Sequence, residues 1–192
     1  MRLDKIYTKV GDRGQTMLAN GEKISKAALR IEAYGTVDEL NATCAMLRDQ
    51  LDQTGKFELV ELSKQILLIQ NELFDIGGEL ATPMSALNQS KQQLVQHKSV
   101  ARLEAEMDEM NKHLDPLSNF VLPGGHPANS VAHLARCVCR RAEREVVRLS
   151  DQEEVRAESR IYLNRLSDWL FLVSRIISKY LDCPEILWLQ NK

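Results

Sequence analysis

Between Pro127 and Ser150 the chain reads PANSVAHLARCVCRRAEREVVRLS, and Val131, Leu134, Val138, Ala142, Val146 and Leu149 fall at intervals of three or four. That is the period of one face of an α-helix. Pro127 suits the first turn, where its missing N–H would have no intrahelical partner, and Pro123, Gly124 and Gly125 just upstream break helix. A helix over about 127–150 follows. The same spacing recurs downstream in Tyr162, Leu166, Trp169, Val173, Ile176 and Tyr180.

Working back toward the N-terminus, Leu59, Leu62, Ile66, Ile69, Leu73 and Ile76 mark a helix over about 57–80, with Gly77 and Gly78 permitting close packing or an early stop. Val37, Leu40, Ala45 and Leu47 give a patchier face to a helix over roughly 28–52, ended by the polar DQTGK turn. Residues from Thr82 to about Gln92 have no period and read as a loop. LEAEMDEMNKHL then forms a further helix, stopped at Asp115–Pro116. Five helices without strand alternation predict an all-α fold, a five-helix bundle. No repeat divides it, so residues 1–192 read as one domain: residues 1–25, with Gly11, Gly14 and Gly21, as an N-terminal loop, and 26–185 as the bundle.

With 25 basic and 27 acidic side chains the chain has no bulk field for a nucleic acid or an anionic membrane, so any anion site is local. Cys44, Cys137, Cys139 and Cys183 lack metal-binding or disulfide-framework spacing and read as reduced, cytoplasmic thiols. No run approaches the apolar length that spans a bilayer, which predicts a soluble protein. The histidines at 97, 113, 126 and 133 form no ligand pattern on one helix, and His133 reads as structural.

Chemistry concentrates on the helix over 127–150. Arg136, Arg140 and Glu143 share a face at i, i+4 and i+7, with Arg141, Arg144 and Glu145 close by. Guanidinium forks suit phosphate oxygens, so a polyphosphate is the natural ligand class; the bland alternative is a solvated face with pairs such as Arg141 to Glu145. TKVGDRGQT offers Thr8, Lys9, Asp12 and Thr16 beside two glycines that let backbone amides approach an anion, though it lacks P-loop order. Asn164 and Asp168 lie four apart in an otherwise apolar helix and are expected to be buried and partnered, either by the arginines or within the bundle. Phe120, before LPGG, is either a core plug or the wall of a cofactor pocket.

Taken together, TKVGDRGQT, YGTVDELNA, FVLPGG, RCVCRRAER and YLNRLSD resemble the PduO-type ATP:cob(I)alamin adenosyltransferases, over most of the chain and in order. The resemblance implies a ferritin-like, cobalamin adenosyltransferase-like five-helix bundle assembled as a homotrimer, with ATP and corrinoid bound between subunits. It also implies a reaction: Co(I) of cob(I)alamin attacks the ribose C5′ of ATP, giving adenosylcobalamin and tripolyphosphate. By the same resemblance Thr8, Lys9, Val10, Gly11, Asp12, Gly14, Thr16, Met17 and Lys26 embrace the triphosphate, and Arg140, Arg141, Ala142, Glu143, Arg144 and Asn164 complete the ATP site. Asp38 and Arg136 match a carboxylate and guanidinium that pair across the interface, and Phe120 matches the aromatic that displaces the lower axial base. Mg2+ is expected on the ATP phosphates, with no protein metal motif. A reductase and an adenosylcobalamin-dependent acceptor enzyme are the implied partners. Val10 and Met17 depart from the family pattern, standing where a hydroxyl residue is common. The competing readings are a helical nucleotide hydrolase and a non-catalytic nucleotide- or corrinoid-binding protein.

Overall fold

The computed structural model describes residue 7 and residues 9–190. Its helices are α1 (Leu29–Asp52), α2 (Phe57–Leu80), the single turn α3 (Met84–Leu87), α4 (His97–Lys112), α5 (Pro127–Ser150) and α6 (Ala157–Tyr180). A 3-10 turn (Val10–Arg13) leads into a hairpin of β1 (Gln15–Met17) and β2 (Lys23–Ser25), and β3 (Val121–Leu122) pairs antiparallel with β4 (Ile186–Leu187). The protein is therefore mostly helical. The two short hairpin ladders differ from the expectation of a fold without strands, the 82–92 loop contains α3, and α4 begins at His97, a turn and a half before LEAEM.

The helix α5 lies between α1 and α6, while α2 packs on α1 and α4 on α6. Small side chains on α5 make this close approach possible: Ala128, Ala132, Ala135, Cys139 and Ala142 are buried. Leu134, expected on the core face, is 49% exposed, because the narrow buried stripe runs through these small residues instead. On α1 the core stripe is Ala33, Val37, Leu40, Cys44, Leu47 and Leu51, with Cys44 acting as a small hydrophobe in place of the expected Ala45. The predicted apolar positions on α2, from Leu59 to Ile76, are all buried, as are Tyr162, Leu166, Trp169, Val173 and Ile176 on α6.

Buried polar side chains tie the layers together. The Arg30 guanidinium donates to Leu80 O at 2.6 Å and to Glu153, fastening the start of α1 to the ends of α2 and α5. Glu79 accepts from Val95 N, Ser159 Oγ and Arg156. Glu72 accepts from Tyr162 Oη and Arg102, Arg102 also reaches Glu106, and Glu106 accepts from Trp169 Nε1, holding α4 against α2 and α6. No helix among the described residues is long and apolar enough to cross a membrane.

Candidate active site

Two adjoining cavities open on the face shared by α4, α5 and α6. The first, of about 490 Å³, is lined by Arg136 and Arg140 of α5, Arg165, Asp168 and Phe171 of α6, and Glu104, Met107, Asp108 and Asn111 of α4. The second, of about 590 Å³, lies under the segment 117–121 and is walled by Phe120, His133, Arg136 and Phe171. Arg136 and Phe171 line both, so the two cavities are immediate neighbours with a common wall. Both are of the size that holds a small molecule.

Phe120 is 76% exposed, which excludes the core-plug alternative and leaves it as a cavity wall. Its ring meets Trp188 edge to face, with centroids 6.2 Å apart. His133 is buried, and neither ring nitrogen has a hydrogen-bond partner among the described residues; Arg136 Nε is unpartnered as well. Burial, with the Arg136 cation as a lesser cause, lowers the His133 pKa and keeps the ring neutral. His126, by contrast, caps α5 through Nδ1, which accepts from Ala128 N.

The arginines of α5 divide between faces. Arg140 faces the first cavity, whereas Arg141 pairs with Glu39 of α1 rather than with Glu145, whose partner is Arg148. Glu143 accepts from Asn164 Nδ2 at 3.1 Å. Arg144 is exposed, and Ala142 is fully buried in the core. Asn164 and Asp168 are both exposed, not buried as expected, because they project from the side of α6 opposite its core stripe. Asp38 is exposed on α1, and neither it nor Arg136 forms an ion pair among the described residues. The residues that sequence reasoning missed are those from α4 and Phe171; their helical pattern carries no sign of a cavity.

The N-terminal loop lies at the other end of the helices. Ala19 N donates to Ala81 O beyond α2, and Lys26 lies three residues before the start of α1. Thr8 lies outside the described residues. Lys9 and Gly14 both adopt left-handed φ, at 61° and 75°, bracketing the 3-10 turn that contains Val10, Gly11 and Asp12. A Cβ on Gly11 would stand 2.9 Å from Lys26 Nζ, so the ammonium rests against this bare backbone. Val10 and Met17 are exposed and Thr16 is half-buried. Buried thiols offer no nucleophile, since burial pushes Cys44 up to about 12 and Cys139 well above its ordinary value.

The cobalamin adenosyltransferase family model matches residues 6–177. The chain belongs to this family. Curated relatives include a corrinoid adenosyltransferase of Bacillus subtilis, 41% identical over 91% of this chain and 86% of its own, and a cobalamin adenosyltransferase of Cupriavidus metallidurans, 39% identical over 100% and 97%. Among solved structures, a phenylalanine-to-histidine variant of a PduO-type ATP:corrinoid adenosyltransferase from Lactobacillus reuteri, complexed with cobalamin and ATP, superposes with a TM-score of 0.90 at 34% identity, covering 98% of both chains.

Proposed function

We propose that this cobalamin adenosyltransferase family member transfers the 5′-deoxyadenosyl group of ATP to the cobalt of cob(I)alamin, giving adenosylcobalamin and tripolyphosphate. The observation that carries the reading is that the Phe120 cavity and the Arg140 cavity adjoin, with Arg136 and Phe171 lining both. A corrin in the Phe120 cavity and a ribose in the Arg140 cavity would bring cobalt and C5′ together.

In the reaction the electron pair of Co(I) forms the cobalt–carbon bond, the C5′–O bond breaks, and its pair leaves on the triphosphate. Cobalt supplies the nucleophile, so the protein's work is positioning and electrostatics. Lys9, Lys26 and the backbone amides of the Gly11–Gly14 turn would hold the triphosphate, with Thr8 and Thr16 beside it, and a magnesium ion would arrive as part of the ATP. Arg140, Arg141, Glu143, Arg144 and Asn164 would complete the nucleotide site. The Phe120 ring would exclude water and the lower axial base, easing reduction to Co(I).

The protomer is a five-helix bundle, forming a single domain, and its sites are built between the copies of a homotrimer. Geometry supports this. From Arg136 to Ser150 the rise along α5 is about 21 Å, at 1.5 Å per residue, and the N-terminal loop sits near that far end. A triphosphate is shorter, which favours a loop and a Phe120 cavity contributed by different copies. Pairing of Asp38 with Arg136 of a neighbouring copy would satisfy two charges that have no ion-pair partner among the described residues of one. The setting is cytoplasmic, with a reductase supplying Co(I) and an adenosylcobalamin-dependent enzyme receiving the product.

The test is anaerobic: purified protein, ATP with magnesium and chemically reduced cob(I)alamin, followed by the absorbance of adenosylcobalamin. Product should form, and Arg140→Ala should lower kcat/KM for ATP by roughly 10²–10³, the range for losing one donor to a developing charge. No product, or ATP consumption without corrinoid, would overturn the assignment in favour of a hydrolase or a binding protein.

A further inference from the structure

Phe120 projects into solvent from a turn whose only regular structure is a two-residue ladder. A ladder of that length has little stability of its own. The ring nevertheless has a defined place, and the reason lies in the chain beyond α6.

After α6 the chain reverses at Asp182, which adopts a left-handed φ of 53°, and Cys183 N donates back to Ser178 O. The segment 185–188 then runs alongside 119–122. Val121 faces Leu187, Leu122 faces Ile186, Trp188 N donates to Phe120 O at 2.8 Å, and Asn119 Nδ2 donates to Trp188 O. The backbone carbonyl of Phe120 is thus held by the same residue whose ring abuts its side chain.

What anchors this strap is a single guanidinium. Arg175 of α6 is 7% exposed; its Nε and Nη2 donate to the two carboxylate oxygens of Glu185, at 2.8 and 3.3 Å, and Nη2 also donates to Asp115 O at 2.8 Å. Asp115 begins the segment that leads to Phe120, and Glu185 begins the strap. One rigid, planar fork on a long helix therefore holds the roots of both strands, and such a bidentate pair fixes geometry as well as charge.

We infer that the Arg175–Glu185 pair is a positioning device for the corrinoid site, acting through the β3–β4 ladder to hold the Phe120 ring at the cavity before a corrinoid binds. Neither residue lines either cavity. The inference rests on the proposed role of Phe120 in displacing the axial base, and it assigns the accuracy of that displacement to a buried pair outside the recess. Without the pair the strap and the turn move independently, and the ring no longer occupies the axial position often enough to keep the base away.

The experiment uses the full-length protein with ATP and cob(II)alamin, measuring the four-coordinate Co(II) fraction by electron paramagnetic resonance together with the KM for ATP and the Tm. Glu185→Ala should lower the four-coordinate fraction severalfold, leave the KM for ATP within about twofold, and be rescued in part by Glu185→Gln. Asn119→Ala, at an exposed position, removes one of the bonds that hold the strap to the turn without stranding a buried charge and should act in the same direction, more weakly, should Glu185→Ala fail to fold. An unchanged four-coordinate fraction in a folded Glu185→Ala, or in Asn119→Ala where Glu185→Ala does not fold, would sink the positioning role while leaving the Phe120 reading intact. Absence of the signal in the unmodified protein would overturn both. A lost signal accompanied by a raised KM for ATP and a collapsed Tm in both variants would mark general loss of fold and overturn the inference.

Discussion

Arg141 of α5 donates to the carboxylate of Glu39 on α1, so one arginine of the RRAER run is held across the seam between two helices. Both side chains are about half exposed, at 44% and 55%, which limits the pair's contribution to stability to ~0–1 kcal/mol. Its effect is on direction: the carboxylate fixes where the guanidinium points. Glu39→Gln should leave the Tm almost unchanged and raise the KM for ATP about threefold, equivalent to roughly 0.6 kcal/mol. Steady-state kinetics with saturating corrinoid would check this, and an unchanged KM would place Arg141 outside the nucleotide site.

Gly11 and Lys26 make a second pairing open to test. Gly11 does not adopt a positive φ, so alanine fits its backbone, but the new Cβ meets Lys26 Nζ at 2.9 Å. The flexible lysine end should give way and the ammonium should be displaced. Gly11→Ala is expected to fold normally and to raise the KM for ATP roughly tenfold, about 1.4 kcal/mol. Calorimetry of ATP binding reads this directly, with Tm as the control.

His133 gives the protein a pH dependence of known sign. Its folded pKa lies below the ordinary 6.5 because of burial and then Arg136, with Glu185 opposing. The unfolded chain therefore binds a proton at higher pH than the native one does. Stability from the neutral ring is fully present above about 6.5 and is lost as pH falls through the unfolded and then the folded pKa. Urea unfolding from pH 7.5 to 5 should show the native protein losing more stability than His133→Leu over that range. Parallel curves would contradict the assignment.

Glu79 is 4% exposed and accepts from Val95 N, Ser159 and Arg156, joining α2, the segment before α4, and the start of α6. Burial raises its pKa despite these three partners. Glu79→Ala would strand Val95 N and Ser159 Oγ and leave Arg156 with Glu158 and Val95 O, at a cost of about 1–3 kcal/mol for each stranded donor. Denaturant titration should register that loss, and proteolysis should cut first near residues 88–96.

The long helices were legible because their core stripes are built from large apolar residues at regular intervals, as in Leu59 to Ile76. Where the stripe is made of alanine and cysteine, the pattern misled: Leu134 looks like core and faces out, while Cys44 and Ala135 do the packing. Asn164 and Asp168 misled in the opposite sense, since a polar residue among apolar ones can simply mark the free side of a helix. The recess itself was half visible. Arg136, Arg140 and Phe120 stood out by residue type, but Met107, Asn111 and Phe171 enter it through the packing of α4 and α6, which no local spacing encodes. The Arg175–Glu185 fork was equally hidden, because its meaning depends on Asp115, sixty residues away in sequence.

The distance between the N-terminal loop and the Phe120 cavity has a genetic consequence. If each active centre takes its loop from one copy and its cavity from another, a lesion at Gly11 and a lesion at Phe120 damage different halves of every centre. Coexpressing the two inactive alleles then yields mixed assemblies in which a sound loop meets a sound cavity, and some activity returns. Two alleles damaged at the same end have no such complement, so the pattern of pairwise rescue among mutants sorts every residue to its half of the centre.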